Sequence, residues 1–72
     1  MNISSNFEQI VNQSTQQAIE NACANIGGID SVMLTWANEN NDNDPIYDVH
    51  NADGNEEYLF SIDTDADVIY NK

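Results

Sequence analysis

The sequence predicts an α+β fold in two layers, with one N-terminal amphipathic helix over residues 5–26 packed on a three- to four-stranded antiparallel sheet over residues 31–71. Three observations predict it. Apolar residues in the first third recur with the 3.6-residue period of a helix. A Gly27-Gly28 pair follows, which supplies the backbone freedom that ends helices. The remainder consists of short β-rich runs separated by Asn, Asp, Gly and Pro. Seventy-two residues make a single domain, 1–72. A chain this short buries only about 60% of its unfolded surface, so its stability is expected to be marginal.

The helix rests on Phe7, Ile10, Val11, Ala18, Ala22, Cys23 and Ile26, spaced by three, four and seven, with Ser14 filling a gap and Ile19 on the same flank. Ser4 or Ser5 can cap its start, and Glu8 lies three residues after Ser5, the spacing of a capping box. Residues 31–38 read as the first strand and residues 39–45 as a loop. Residues 46–51 read as the second strand. Asp53-Gly54 signals a tight turn into a third over residues 56–62. Strict alternation there puts Tyr58, Phe60 and Ile62 on one face and Glu57 and Leu59 on the other. Residues 68–70 add a short fourth strand. The helix stripe must then cover one face of the sheet.

Charge is the feature that bears on function. Thirteen residues are Asp or Glu and one, Lys72, is Lys or Arg, for a net charge of −12. A small soluble domain ordinarily mixes both signs and keeps its net charge at about 2–8. The acids are also unevenly placed. Glu8 and Glu20 precede Gly27, Asp30 follows Gly28, and the other ten lie between Glu39 and Asp67. Such a chain repels nucleic acid and anionic membranes, because phosphate binding requires Lys and Arg. The apolar fraction of 40%, with Trp36, three Tyr and two Phe, is too high for a wholly disordered chain. The lone Cys23 excludes an internal disulfide and reads as a buried apolar residue. No segment approaches the roughly 20 apolar residues of a membrane span, and no signal-peptide pattern opens the chain, so a cytoplasmic location is expected.

Catalytic and metal chemistry find little support in the residues. Nucleophilic catalysis needs a base beside the nucleophile, and the chain has one His, His50, one Cys and no glycine-rich phosphate loop. The expectation is that the protein is not an enzyme and takes no cofactor. Calcium prefers oxygen ligands, and Asp63, Asp65 and Asp67 occupy positions one, three and five of an EF-hand-like loop. Position six is then Val68 where glycine is required, and position twelve lies beyond Lys72. A second frame around Asp53-Gly54 puts Val49 and Phe60 at its first and last ligand positions. No specific metal site is expected.

The acids themselves are the candidate site. Asp63, Asp65 and Asp67 alternate, and in an extended segment such residues share a face about 6.6–6.8 Å apart. Asp42 and Asp44 repeat the spacing, and Asp48, Asp53, Glu56 and Glu57 gather around the second hairpin, with Glu39 opening the preceding loop. Fixed carboxylates at such intervals imitate the field of a DNA backbone without imitating any base, and a channel lined with Lys and Arg would accept them. An acidic skin that serves solubility alone is the alternative reading. The aromatics Trp36, Tyr47, Tyr58 and Tyr70 are either sheet core or interface anchors.

In size, charge and charge clustering the chain resembles the small acidic inhibitors that bacteriophages direct against host defence, the anti-CRISPR and antirestriction DNA mimics. The resemblance implies a stoichiometric blocker in the cytoplasm of a bacterial host cell, acting through protein–protein contact on the DNA-binding, PAM-reading cleft of a CRISPR–Cas effector. A restriction enzyme or other DNA-binding protein is the variant target. A small adaptor or antitoxin-like binder of a basic partner, monomeric or homodimeric, is the alternative from a different class.

Overall fold

The computed structural model describes residues 1–8, 11–38 and 43–71, with the backbone alone at 70 and 71. Strand β1 (Asn2–Ser5) leads into helix α1 (Gln13–Ile26), and strands β2 (Ser31–Trp36), β3 (Ile46–Asn51), β4 (Tyr58–Asp63) and β5 (Val68–Asn71) follow. They form one five-stranded sheet in the order β1-β2-β3-β4-β5. β1 runs parallel to β2, with Ile3 opposite Val32, so α1 is the crossover of a β-α-β unit. The other neighbouring pairs are antiparallel, as expected for a meander.

The two-layer α+β architecture therefore stands, but the sheet is mixed and has five strands. β1 escapes a reading by pattern because Ile3 is its one large apolar residue. Its pairing with β2 forms only when the helix returns the chain. The helix also starts at Gln13 rather than residue 5. Ser5 ends β1, so the Ser5–Glu8 capping box does not form, and Ser5 Oγ instead donates to the Phe7 carbonyl at 3.1 Å. The cap is Asn12, whose Oδ1 accepts from Thr15 N–H at 2.8 Å. At the other end Gly27, with φ 84°, donates to the Cys23 carbonyl at 2.9 Å and stops the helix as its sequence predicts.

The helix buries a stripe of Thr15, Ile19 and Cys23, spaced by four. Ser14 and Ile26, read as part of that stripe, are exposed, and Ile10 lies outside the described residues. This stripe covers Val32, Leu34, Tyr47, Val49, Phe60 and Ile62, with Val11 and Leu59 closing the margins of the core. Phe7, freed from the helix, stacks on Tyr47 at 5.4 Å between ring centroids and meets Trp36 edge-on at 6.0 Å. Burial pushes the Cys23 thiol and the Tyr47 phenol above their ordinary pKa values, because neither anion is solvated there.

Strand β4 departs from alternation. Val49 pairs with Phe60 and His50 with Tyr58, which leaves Leu59 as the extra residue of a β-bulge. Phe60 and Ile62 face the core and Leu59 joins it, while Tyr58 turns to the opposite face. The expected grouping of Tyr58 with Phe60 fails for that reason. The link from β3 to β4 is also longer than a two-residue turn. It runs over residues 52–57, uses positive φ at Gly54 and Glu56, and is closed by Asn51 N–H donating to the Glu57 carbonyl at 2.8 Å.

Candidate functional site

The antiparallel meander sorts the loops, and with them the acids, to the two ends of the sheet. Ile46 lies opposite Asp63, so the links β2–β3 and β4–β5 leave the same end. That end carries Asp44, Asp63, Asp65 and Asp67. The β3–β4 link at the opposite end carries Asp53, Glu56 and Glu57. Six-residue strands set the two groups about 17–20 Å apart. Glu39 and Asp42 lie outside the described residues.

Each group has its own local construction. At the first end, Asn38 organises the β2–β3 link. Its Oδ1 accepts from Ile46 N–H at 2.6 Å and Trp36 Nε1–H at 3.0 Å, and its amide donates to the Asp44 carbonyl at 2.8 Å. Asp44 itself is exposed. The segment from Asp63 to Asp67 is a turn rather than the extended ladder its alternation suggests. Asp63 Oδ1 accepts from the backbone N–H groups of Asp65 at 2.9 Å and Asp67 at 3.0 Å. Its carboxylate is thereby aimed at its own loop, while the Asp65 and Asp67 side chains stay exposed. The helix start steadies this turn. Asn12 Nδ2 donates to the Thr64 carbonyl at 3.2 Å, and Thr15 Oγ1 donates to the Asp63 carbonyl at 3.4 Å.

At the second end Asp53, Glu56 and Glu57 are all exposed. The Asn51 side chain accepts from Asp53 N–H at 3.0 Å and shapes the start of the link. Asp48 belongs to neither end. It lies mid-strand on the face of the sheet away from α1, half-buried, and accepts from Ser61 Oγ at 2.5 Å. Tyr58 Oη lies 2.6 Å from the same Ser61 oxygen. Next to them His50 approaches Thr35 Oγ1 at 3.4 Å and meets the Tyr58 ring edge-on at 5.8 Å.

Of the predicted site residues, the fold thus gathers Asp44, Asp65 and Asp67 at one end and Asp53, Glu56 and Glu57 at the other. It turns Asp63 inward and engages Asp48 with Ser61. The network of Thr35, His50, Tyr58 and Ser61 was not foreseen. Its signal, polar residues alternating with apolar ones in three strands, is visible in the sequence once the bulge at Leu59 is known. Within this network the acid and the imidazole hold different hydroxyls, Ser61 and Thr35, so they do not line up as a nucleophile–base–acid relay. Among the described residues no three His, Cys, Asp or Glu side chains form a metal-binding group, and no helix is long and apolar enough to cross a membrane. The chain matches no protein-family model, no curated protein and no solved structure.

Proposed function

We propose that the protein is a stoichiometric inhibitor that acts as a DNA mimic and blocks the DNA-binding, PAM-reading cleft of a CRISPR–Cas effector. One observation carries the reading. Two groups of exposed carboxylates stand at opposite ends of one rigid sheet, in a chain with a single Lys or Arg. A net charge of −12 on a molecule 32 Å long amounts to about one charge per 2.7 Å, against about 1.7 Å in duplex DNA. The spacing of about 17–20 Å between the groups is half a turn of duplex, so both can meet Lys and Arg along one cleft. Arg forks would take the exposed carboxylates through charge-assisted, often bidentate hydrogen bonds.

The first test is an affinity pull-down, with the tagged protein as bait, from lysates of bacteria that carry CRISPR–Cas or restriction systems. The expected outcome is recovery of an effector complex that a PAM-containing duplex displaces and that high salt weakens. Neutralising Asp65 and Asp67 together, or Asp53, Glu56 and Glu57 together, is expected to weaken capture more than Asp63→Asn or Asp48→Asn, whose carboxylates are already engaged. A partner that duplex DNA fails to displace would transfer the protein to the adaptor class. Capture of a restriction enzyme would keep the mimicry and change the target.

A further inference from the structure

Strand pairing sets a small array of side chains on the face of the sheet away from α1. Thr35 on β2 stands opposite Asp48 on β3, and Asp48 stands opposite Ser61 on β4. The neighbouring row is Met33, His50 and Tyr58. Partners across strands lie about 4.5–5.5 Å apart, and successive rows about 6.6–6.8 Å. Asp48 thus sits on the middle strand of five, between two hydroxyls and beside two rings. The hydroxyl protons of the array have one consistent arrangement. An ionised Asp can only accept, so Ser61 gives its single proton to Asp48 Oδ1, at 2.5 Å. Tyr58 Oη, 2.6 Å from the same Ser61 oxygen, is then the donor of the second bond. Both bonds run toward the carboxylate and hold it in place. Among the described residues nothing donates to its other oxygen, Oδ2, and none is a Lys or Arg. The titratable neighbour His50 is occupied with Thr35 Oγ1, at 3.4 Å from its Nε2.

We infer that this array is a binding site for the guanidinium of an arginine side chain presented by a partner protein. Charge selects a cation. Asp48 is a half-buried anion without a cationic partner among the described residues, on a chain of net charge −12. The surrounding groups select arginine over lysine. A guanidinium donates two parallel N–H bonds to a carboxylate, and its remaining N–H groups can reach the Thr35 oxygen across the strand. Its flat face can lie on the Tyr58 ring. A lysine ammonium is a compact point charge and cannot do all three at once. Position on the sheet adds strength. A half-buried carboxylate is less screened by water than the exposed acids at the two ends, so a charge-assisted bond there is worth more.

The inference does not require that the partner hold DNA, and it is tested on the free protein, so it and the inhibitor reading fail separately. The expected ranking of capture variants also stands, since neutralising Asp48 removes one contact and neutralising either end removes two or three. The experiment is a proton–nitrogen NMR titration of the full chain at about 0.15 M monovalent salt, which screens the exposed acids. The probe is a capped tripeptide with arginine between two glycines, and its lysine twin is the control. The expected result is saturable shifts at the amides of Thr35, Asp48, His50, Tyr58 and Ser61, with a dissociation constant of about 1 mM for the arginine peptide and weaker binding of the lysine twin. Asp48→Asn keeps an oxygen for the Ser61 hydroxyl and is expected to stay folded. It should weaken binding about tenfold or more, as loss of a charge-assisted bond does. If that variant fails to fold, the comparison of the two peptides on the native chain decides alone. Shifts that gather at the acidic ends instead, or equal binding of the two peptides, overturn the inference. So does a folded Asp48→Asn chain that binds the arginine peptide as tightly as the native one.

Discussion

The face of the sheet under α1 is assembled from Val32, Leu34, Tyr47, Val49, Phe60 and Ile62, all of them essentially inaccessible to water. The face away from the helix, built from intervening residues of the same strands, ties Asp48 to Ser61 and Tyr58 and brings Thr35 to His50. The first gains its energy from the removal of apolar surface, a non-directional effect that tolerates small shifts. The second relies on geometry: Ser61 is buried, and its hydroxyl is satisfied by Asp48 and Tyr58 rather than by bulk water. Because one pleated sheet carries both, the covered face sets whether the chain folds.

Substitutions can break this contrast at either face. Phe60→Ala should have the largest effect, about 3–5 kcal/mol from lost burial and the cavity left behind. A domain of this size has only roughly 4–11 kcal/mol of stability in all, so the urea midpoint should fall steeply or the fold be lost. Ser61→Ala on the open face should cost less, about 1–3 kcal/mol, because it removes one buried hydroxyl shared by Asp48 and Tyr58 and leaves a far smaller cavity than loss of a ring. A cost for Ser61→Ala equal to that of Phe60→Ala would show that the open-face network, not the core, limits stability.

Alkaline titration sharpens the contrast further. Cys23 and Tyr47 have pKa values raised in the fold above their ordinary values of 9.0 and 10.0. Each keeps its proton longer in the folded chain than in the unfolded one. Their contribution is fully present below the unfolded pKa and is lost as pH rises through the folded one. The thermal midpoint should therefore be insensitive to these two groups at neutral pH and fall above pH about 9–10. Cys23→Ala should remove the part of that fall that begins at the lower pH.

Elements whose residues carry their own signal were legible in the sequence. Ile19, Cys23 and Gly27 announce the helix and its end, and the four meander strands lie close to their expected positions. The misplacements have physical causes. Residues 5–8 satisfy the spacing of a capping box, but pairing with β2 draws Ser5 into a strand and Asn12 becomes the cap. The bulge at Leu59 comes from strand register, which alternation in a single strand cannot reveal. The acids that form the candidate site were visible as a composition. Their division between two ends follows from the order of the strands. The turn that folds Asp63 inward depends on its carboxylate reaching two amides of its own loop, where alternation suggested a row of outward charges.

The parallel pairing of β1 has a kinetic consequence. A six-residue link joins β3 to β4, whereas β1 reaches β2 only across residues 6–30. Closing the longer connection costs roughly 1 kcal/mol more in chain entropy. The hairpins of the meander can form from near neighbours, and the strand that stands first in the sequence is then the last to find its place. Opening runs in reverse. β1 peels away first and uncovers one edge of the core beneath Ile3, while the strands that carry both acidic ends remain paired.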